Sequence, residues 1–194
     1  MKLVLITASS PHIRQIRRSR FLNFQQITMP YLAALAPPGW HVEHIDEEVV
    51  PVNFDLQADL VGITFHTPSA THAYQLADRY RSQGIPVVLG GPHVTLLQQE
   101  AAAHADVIFA GEAEGLWQQF LQDFEQGTAQ KLYQALTVPS LDHVPQARKD
   151  LFQRKDLTNG VLFATRGAFF AIFLLALSAT TNARMVWYKR KINS

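Results

Sequence analysis

Short, nearly continuous apolar runs alternate along this chain with segments whose apolar positions recur every three or four residues. Lys2 to Ala8 is the first run, closed by Ser9-Ser10-Pro11-His12. His41 to Asp46 follows, alternating around Val42 and Ile45, and then Leu60 to Phe65, Pro86 to Leu89 and Asp106 to Ala110. Runs of this length bounded by turn residues predict five buried strands. Between them, Ile27, Tyr31, Leu32 and Leu35 predict a helix over 24–35, started or kinked at Pro30 and stopped by Pro37-Pro38-Gly39. Thr67 reads as an N-cap with Pro68 at the first helical position, ahead of the stripe Ala70, Ala73, Tyr74, Ala77 and Tyr80. A third helix is expected over Leu96 to His104. A fourth carries Leu116, Trp117, Phe120, Leu121 and Phe124, with Gly127 behind it.

Strands alternating with helices at this spacing predict right-handed βαβ units and a parallel sheet. The expectation is an α/β fold of flavodoxin/Rossmann-like type, a doubly wound five-stranded parallel sheet in the order 2-1-3-4-5 with a C-terminal extension. Its crevice then lies between strands one and three, walled by the loops Ser9–His12 and Thr64–Thr67, with Gly90-Gly91 next door. The two glycines leave no side chain at the strand end, so backbone can lie flat against a ligand. On that reading Gly91→Leu blocks a ligand and leaves the fold intact. The α/β domain covers 1–127, and a polar connector with Pro139 and Pro145 covers 128–160. A tail fills 161–194, apolar from Ala168 to Ala179 and basic at Arg184, Lys189, Arg190 and Lys191. Twelve helical residues reach roughly 18 Å, short of a bilayer core, so the tail is read as packing on the domain or on a protein partner.

Composition narrows the function. With 47% apolar and 17% charged residues over 194 positions, the chain is long enough to bury a core. A net charge of +1 gives no case for nucleic acid. One basic cluster, Arg14, Arg17, Arg18 and Arg20, reads as a solvated face, its alternative being a phosphate or partner contact. There is no cysteine, which removes disulfides, thiolate metal sites, iron–sulfur ligation and cysteine nucleophiles together and fits a cytoplasmic location. Met1 to Thr7 is too short for a signal peptide.

Candidate chemistry clusters at the predicted strand ends. Gly90-Gly91 is neither a Walker loop nor a dinucleotide fingerprint, and a tight turn also explains it. His93 follows that turn, as helix-entry chemistry or as a polar contact to a ligand. His12 and His66 flank the crevice, where a loop histidine is solvated or faces a metal. Glu112 and Glu114 complement a helix dipole or face the same edge. His41, His44, His72, His104 and His143 lack metal-ligand spacing. No catalytic residue and no metal site can be assigned.

Several runs together are more specific: Asp59-Leu-Val-Gly-Ile-Thr64, Val87-Val-Leu-Gly-Gly-Pro-His-Val-Thr95, Glu100-Ala101, His104-Ala105-Asp106 and Gly111-Glu-Ala-Glu114. With Pro139-Ser-Leu-Asp-His-Val-Pro145 and Arg148-Lys-Asp-Leu151, they resemble the N-terminal cobalamin-binding domain of cobalamin-dependent radical SAM enzymes. That group includes the anaerobic magnesium-protoporphyrin ester cyclase. The resemblance covers about residues 1–167 and implies the same sheet, with the tail of a corrinoid entering between strands one and three. It implies that Ser9, Ser10, Thr64, Phe65, His66 and Thr67 line that tail or the lower corrin face. Gly90, Gly91 and His93 would pass along the nucleotide, with His12 and Thr95 beside them, and Gly111 with Glu112 would close the far side. No histidine axial ligand is implied, because the DxHxxG motif is absent around His12.

At Thr165-Arg166-Gly167 the resemblance breaks. The family continues into a Cys-x-x-x-Cys-x-x-Cys motif, and here those positions hold Ala168, Ile172 and Leu175, which cannot ligate iron. The chain also ends before a barrel could form, and the tail reads as a remnant of the radical SAM start or as a piece reshaped to cover exposed surface. The expected function is therefore a corrinoid-binding domain, a carrier or sensor, not catalytic by itself. Two alternatives stand beside it: a subunit of a split radical SAM methylase or cyclase, and a non-catalytic flavodoxin-like interaction module.

Overall fold

Residues that are apolar on both sides of a strand can only be satisfied by a sheet covered on both faces, and the five apolar runs form such a sheet. The computed structural model describes residues 1–17, 26–135 and 145–153, with the side chains of 15–17 left aside. All of them fall in one compact unit, Met1–Val161. The expectations for the tail, including Ala168, Ile172 and Leu175, lie outside the described residues.

The strands are β1 (Lys2–Thr7), β2 (His41–Asp46), β3 (Leu60–Thr64), β4 (Val87–Gly90), β5 (Val107–Ala110) and β6 (Leu132–Gln134). They form one parallel sheet in the order β2-β1-β3-β4-β5-β6. The flavodoxin-like class and the order of the first five strands are as expected. The strand count is not: a sixth strand lies inside the stretch read as connector. Tyr133 makes it one, by stacking on Phe109 with ring centroids 5.2 Å apart and lying buried beside β5.

Helices cover both faces. On one face α3 (Ala70–Ser82), α4 (Pro92–Leu96) and α5 (Gln98–Ala102) bury Ala73, Ala77, Tyr80, Val94 and Ala101 against Val4, Ile6, Val61, Ile63 and Leu89. Val52, Phe54 and Leu56, from the helix-free connection between β2 and β3, join that cluster. On the other face α2 (Thr28–Ala34) and α6 (Trp117–Glu125) bury Met29, Tyr31, Trp117, Phe120 and Leu121 against Leu3, Leu5, Val88 and Phe109. Thus α2, after β1, and α3, after β3, pack on opposite faces. The chain parts at that point of the carboxyl edge, which is where open α/β sheets bind ligands.

Two local expectations differ. The helix read from Leu96 to His104 is two short helices, α4 and α5, broken at Leu97, whose backbone leaves the helical region at φ −126°, ψ 57°. His93 and Val94 take the inward positions, which leaves Leu96 and Leu97 exposed. Thr67 is not an N-cap. It opens a 3₁₀ turn, Thr67–Ser69, and α3 starts only at Ala70 without a side-chain cap.

The outer edge of β2 is covered by Gln153. Its side-chain amide accepts from the Asp46 N–H at 2.9 Å and donates to the His44 carbonyl at 2.6 Å, standing in for the neighbouring strand an edge lacks.

Candidate functional site

Parallel register aligns the strand ends: Asp46, Thr7, Thr64 and Gly90 lie in one row across β2, β1, β3 and β4. The loops leaving that row carry nearly all the candidate residues. Ladder bonding extends one step past β1, where the Ala8 N–H donates to the Thr64 carbonyl at 3.0 Å. Beyond it the β1 loop and the start of α3 meet: the Ser10 N–H donates to Ser69 Oγ at 3.1 Å. Ser10 Oγ in turn accepts from Ile13 N–H at 3.4 Å, at the first turn of α1 (Pro11–Arg17).

Ser9 is 2% exposed. Its N–H donates to Glu47 Oε2 at 3.1 Å, and its hydroxyl is buried without a hydrogen-bond partner among the described residues. An unmatched buried hydroxyl costs about 1–3 kcal/mol, a deficit that a ligand acceptor at this edge would remove.

Across the row, Thr64 is half-buried, while Phe65 points into the core and packs against the rings of Tyr74 and His93 at 5.4 and 5.5 Å. His66 and Thr67 are exposed, and so is His12 on α1. His93 is only 4% exposed. Its Nε2–H donates to Glu100 Oε1 at 3.4 Å, so Nδ1 accepts from the Thr67 hydroxyl at 3.1 Å. His93 therefore ties the β3 loop to α5. Thr95 performs a similar service one loop over: its hydroxyl donates to Gly91 carbonyl at 3.0 Å and accepts from the Gly111 N–H at 3.0 Å. Gly111 is exposed at φ +82°, and Glu112 beside it is half-buried.

The two glycines do different things. A Cβ on Gly90 would meet only Phe109 Cβ, at 3.6 Å, so that strand end is open. A Cβ on Gly91 would stand 2.7 Å from Thr64 Oγ1 and 2.9 Å from the Phe65 carbonyl oxygen, at φ +106°. Gly91 is required by the approach of β4 to β3 itself. The expectation that a side chain there spares the fold is thus corrected.

Sequence reasoning gave no role to three polar residues near this edge: Glu47 and His44, which are buried, and His72, which is half-buried. Glu47, first after β2, lies 3% exposed beside Ser9, with His72 of α3 at 2.8 Å and Arg14 of α1 at 3.8 Å. Arg14 is the member of the basic cluster whose side chain is described. The His44 Nδ1–H donates to the Leu151 carbonyl at 3.3 Å while Nε2 accepts from Thr7 Oγ1 at 3.1 Å. Among the described residues no group of three or more His, Cys, Asp or Glu is placed to hold a metal ion, and no helix is long and apolar enough to cross a membrane. An open groove lined by Val49, Val50, Leu151 and Phe152 runs along β2, away from the β1–β3 edge.

Burial holds the His44 imidazole down to about 4 from an ordinary 6.5. The unfolded chain then takes up the proton first, so stability is full above about pH 6.5 and falls as pH drops towards 4. Between pH 7 and pH 5 this one group is expected to cost about 2 kcal/mol. Urea unfolding at both pH values checks it. His44→Gln should flatten the difference by that amount, and an equal pH dependence in the variant would contradict the assignment.

The family model for the B12 binding domain matches residues 13–121, more than half of the chain. The bacteriochlorophyllide d C-8(2)-methyltransferase of Chlorobaculum tepidum is 38% identical over 144 residues, which cover 70% of this chain and 32% of that protein. The bacteriochlorophyllide d C-12(1)-methyltransferase of the same organism is 35% identical over 124 residues, covering 60% and 27%. The chain thus spans a third or less of the curated relatives it matches. No solved structure matches it. The family model covers more than half of the chain, and the doubly wound parallel sheet fits it: the chain belongs to the B12-binding domain family.

Proposed function

We propose that the chain holds a corrinoid by its nucleotide tail at the carboxyl edge between β1 and β3 and presents it to catalytic machinery outside these residues. The observation that carries the reading is the family match over 13–121, and the edge fits such a group. Ser9 offers a buried donor without a partner among the described residues, and Gly90 leaves room at the end of β4. In this reading Ser9, Ser10, Thr64, His66 and Thr67 line the tail with side chains, and Phe65 takes part through its backbone. Gly90 and Gly91 pass along the nucleotide, with His12 beside them, and Gly111 and Glu112 close the far side. His93 and Thr95 keep the loops in place by the hydrogen bonds described above. The corrinoid's cobalt supplies the chemistry; the protein supplies orientation and a shielded edge.

The relatives are named as methyltransferases of bacteriochlorophyllide d, so we propose methyl transfer to a tetrapyrrole as the process served. Radical SAM chemistry needs thiolates, and this sequence has none. A cluster would have to come from polypeptide outside these residues, docking on the tail. The lack of cysteine supports a cytoplasmic setting.

The test is direct. Purified protein is mixed with hydroxocobalamin, desalted, and its visible spectrum recorded. A retained corrin band is the expected result, and its position reports whether the benzimidazole base has left cobalt. A folded but colourless protein would overturn the reading and favour an interaction module.

A further inference from the structure

Glu47 is not among the residues proposed to line the corrinoid, yet its side chain is bonded to the loop that carries two of them, Ser9 and Ser10. A buried carboxylate is costly unless charged or hydrogen-bonded partners surround it, and Glu47 draws its partners from β1 and the loop after it, from α1 and from α3. Its Oε2 accepts from the Ser9 N–H at 3.1 Å. His72 Nε2, from the first turn of α3, lies 2.8 and 3.0 Å from its two oxygens. Arg14 Nη2 of α1 is 3.8 Å away, and the Glu47 N–H donates to the Thr7 carbonyl at 3.1 Å. One side chain therefore fixes the β1 loop against β2, α1 and α3 together. The Ser9 hydroxyl has no hydrogen-bond partner among the described residues, so its place is set through the main chain, by this bond and by the flanking Ala8 and Ser10 N–H bonds to the Thr64 carbonyl and Ser69 Oγ.

We propose that Glu47 is the positioning residue of the corrinoid edge: its carboxylate, through the Ser9 N–H and His72, holds the β1 loop against α3 in the geometry that receives the ligand. The consequence for binding rests on the corrinoid reading above; the grip on the loop does not. Arm length and an acceptor oxygen are what the role requires. Glu47→Gln keeps both, Glu47→Asp keeps the charge but loses a methylene of reach, and Glu47→Leu loses everything.

Two measurements test it. In the ligand-free protein, amide hydrogen exchange at Ser9 should rise about tenfold in Glu47→Leu and Glu47→Asp, as loss of the hydrogen bond to this buried amide implies. Amides of Leu5 and Ile63 should keep their wild-type rates, and Glu47→Gln should restore protection at Ser9. Hydroxocobalamin affinity should follow the same order, weakened about tenfold in the Asp and Leu variants and recovered in Gln. Glu47→Asp keeps the experiment readable if the Leu variant does not fold. Unchanged Ser9 exchange in the Asp variant, or an equal rise at Leu5 and Ile63, would overturn the proposal. If Ser9 responds as stated but wild-type protein takes up no hydroxocobalamin, the grip stands and the corrinoid reading is what fails.

Discussion

Gly91→Ala is expected to destabilise the protein by about 3 kcal/mol or more, although it adds a single methyl group. Gly91 combines φ +106° with ψ −179°, a region that only glycine occupies readily and that costs other residues about 1–3 kcal/mol. Sterics add to this. The new Cβ would lie 2.9 Å from the Phe65 carbonyl oxygen and 3.2 Å from its nitrogen, and backbone between two central strands cannot swing aside as a side-chain tip can. Thr64 pairs with Gly90 in the β3–β4 ladder, so any relief must part the strands. Gly90→Ala is the internal control. Its Cβ meets only Phe109 Cβ at ordinary contact distance, so unfolding free energy should stay within about 1 kcal/mol of wild type. A fall in hydroxocobalamin affinity in Gly90→Ala would then report on the ligand and not on the fold. Urea unfolding of both variants checks the pair. A Gly91→Ala protein as stable as wild type would mean that β4 does not approach β3 this closely.

What the sequence could show here was whatever is local. Leu60 to Ile63 carries no polar side chain because both faces of a central strand are buried, and Ser9, Thr64 and Gly90 could be placed at one edge because each follows such a run. The residues whose roles the sequence hides depend on partners far away along the chain. Leu132-Tyr133-Gln134 is too short for a periodic signal and becomes β6 only because Phe109 and Phe120 offer Tyr133 their rings at 5.2 and 5.3 Å. Asp46-Glu47-Glu48 looks like a solvated turn. Glu47 is buried because Ser9, Arg14 and His72, drawn from three other elements, converge on it. His44 reads as a lone polar position on an alternating strand, and nothing in that pattern announces Leu151, 107 positions later, as its partner. The breaks at Thr67 and Leu97 have the same origin. Burial of His93 redirects Thr67 into a side-chain hydrogen bond, a tertiary preference that overrides a sound capping signal.

Phe120→Ala should cost about 4 kcal/mol, and it separates folding from ligand binding. Phe120 is fully buried. Its ring lies 5.3 Å from Phe109 and from Tyr133 and 5.4 Å from Trp117, so it joins α6 to β5 and β6. Truncation removes the ring's transfer free energy and leaves a cavity bordered by the rings of Phe109, Trp117, Phe124 and Tyr133, which cannot all collapse into it. None of this reaches the β1–β3 edge, because the edge loops Thr67 and His93 are anchored on the opposite face through α5. The folded fraction of Phe120→Ala should therefore bind hydroxocobalamin with wild-type affinity. Linkage turns this into a measurable rescue: hydroxocobalamin at 100 times its dissociation constant should return about 2.7 kcal/mol of the loss. Thermal unfolding with and without the corrinoid tests both halves. If the ligand stabilises the variant far less than it stabilises wild type, the two faces of the sheet are coupled, and α6 belongs to the binding machinery as well as to the core.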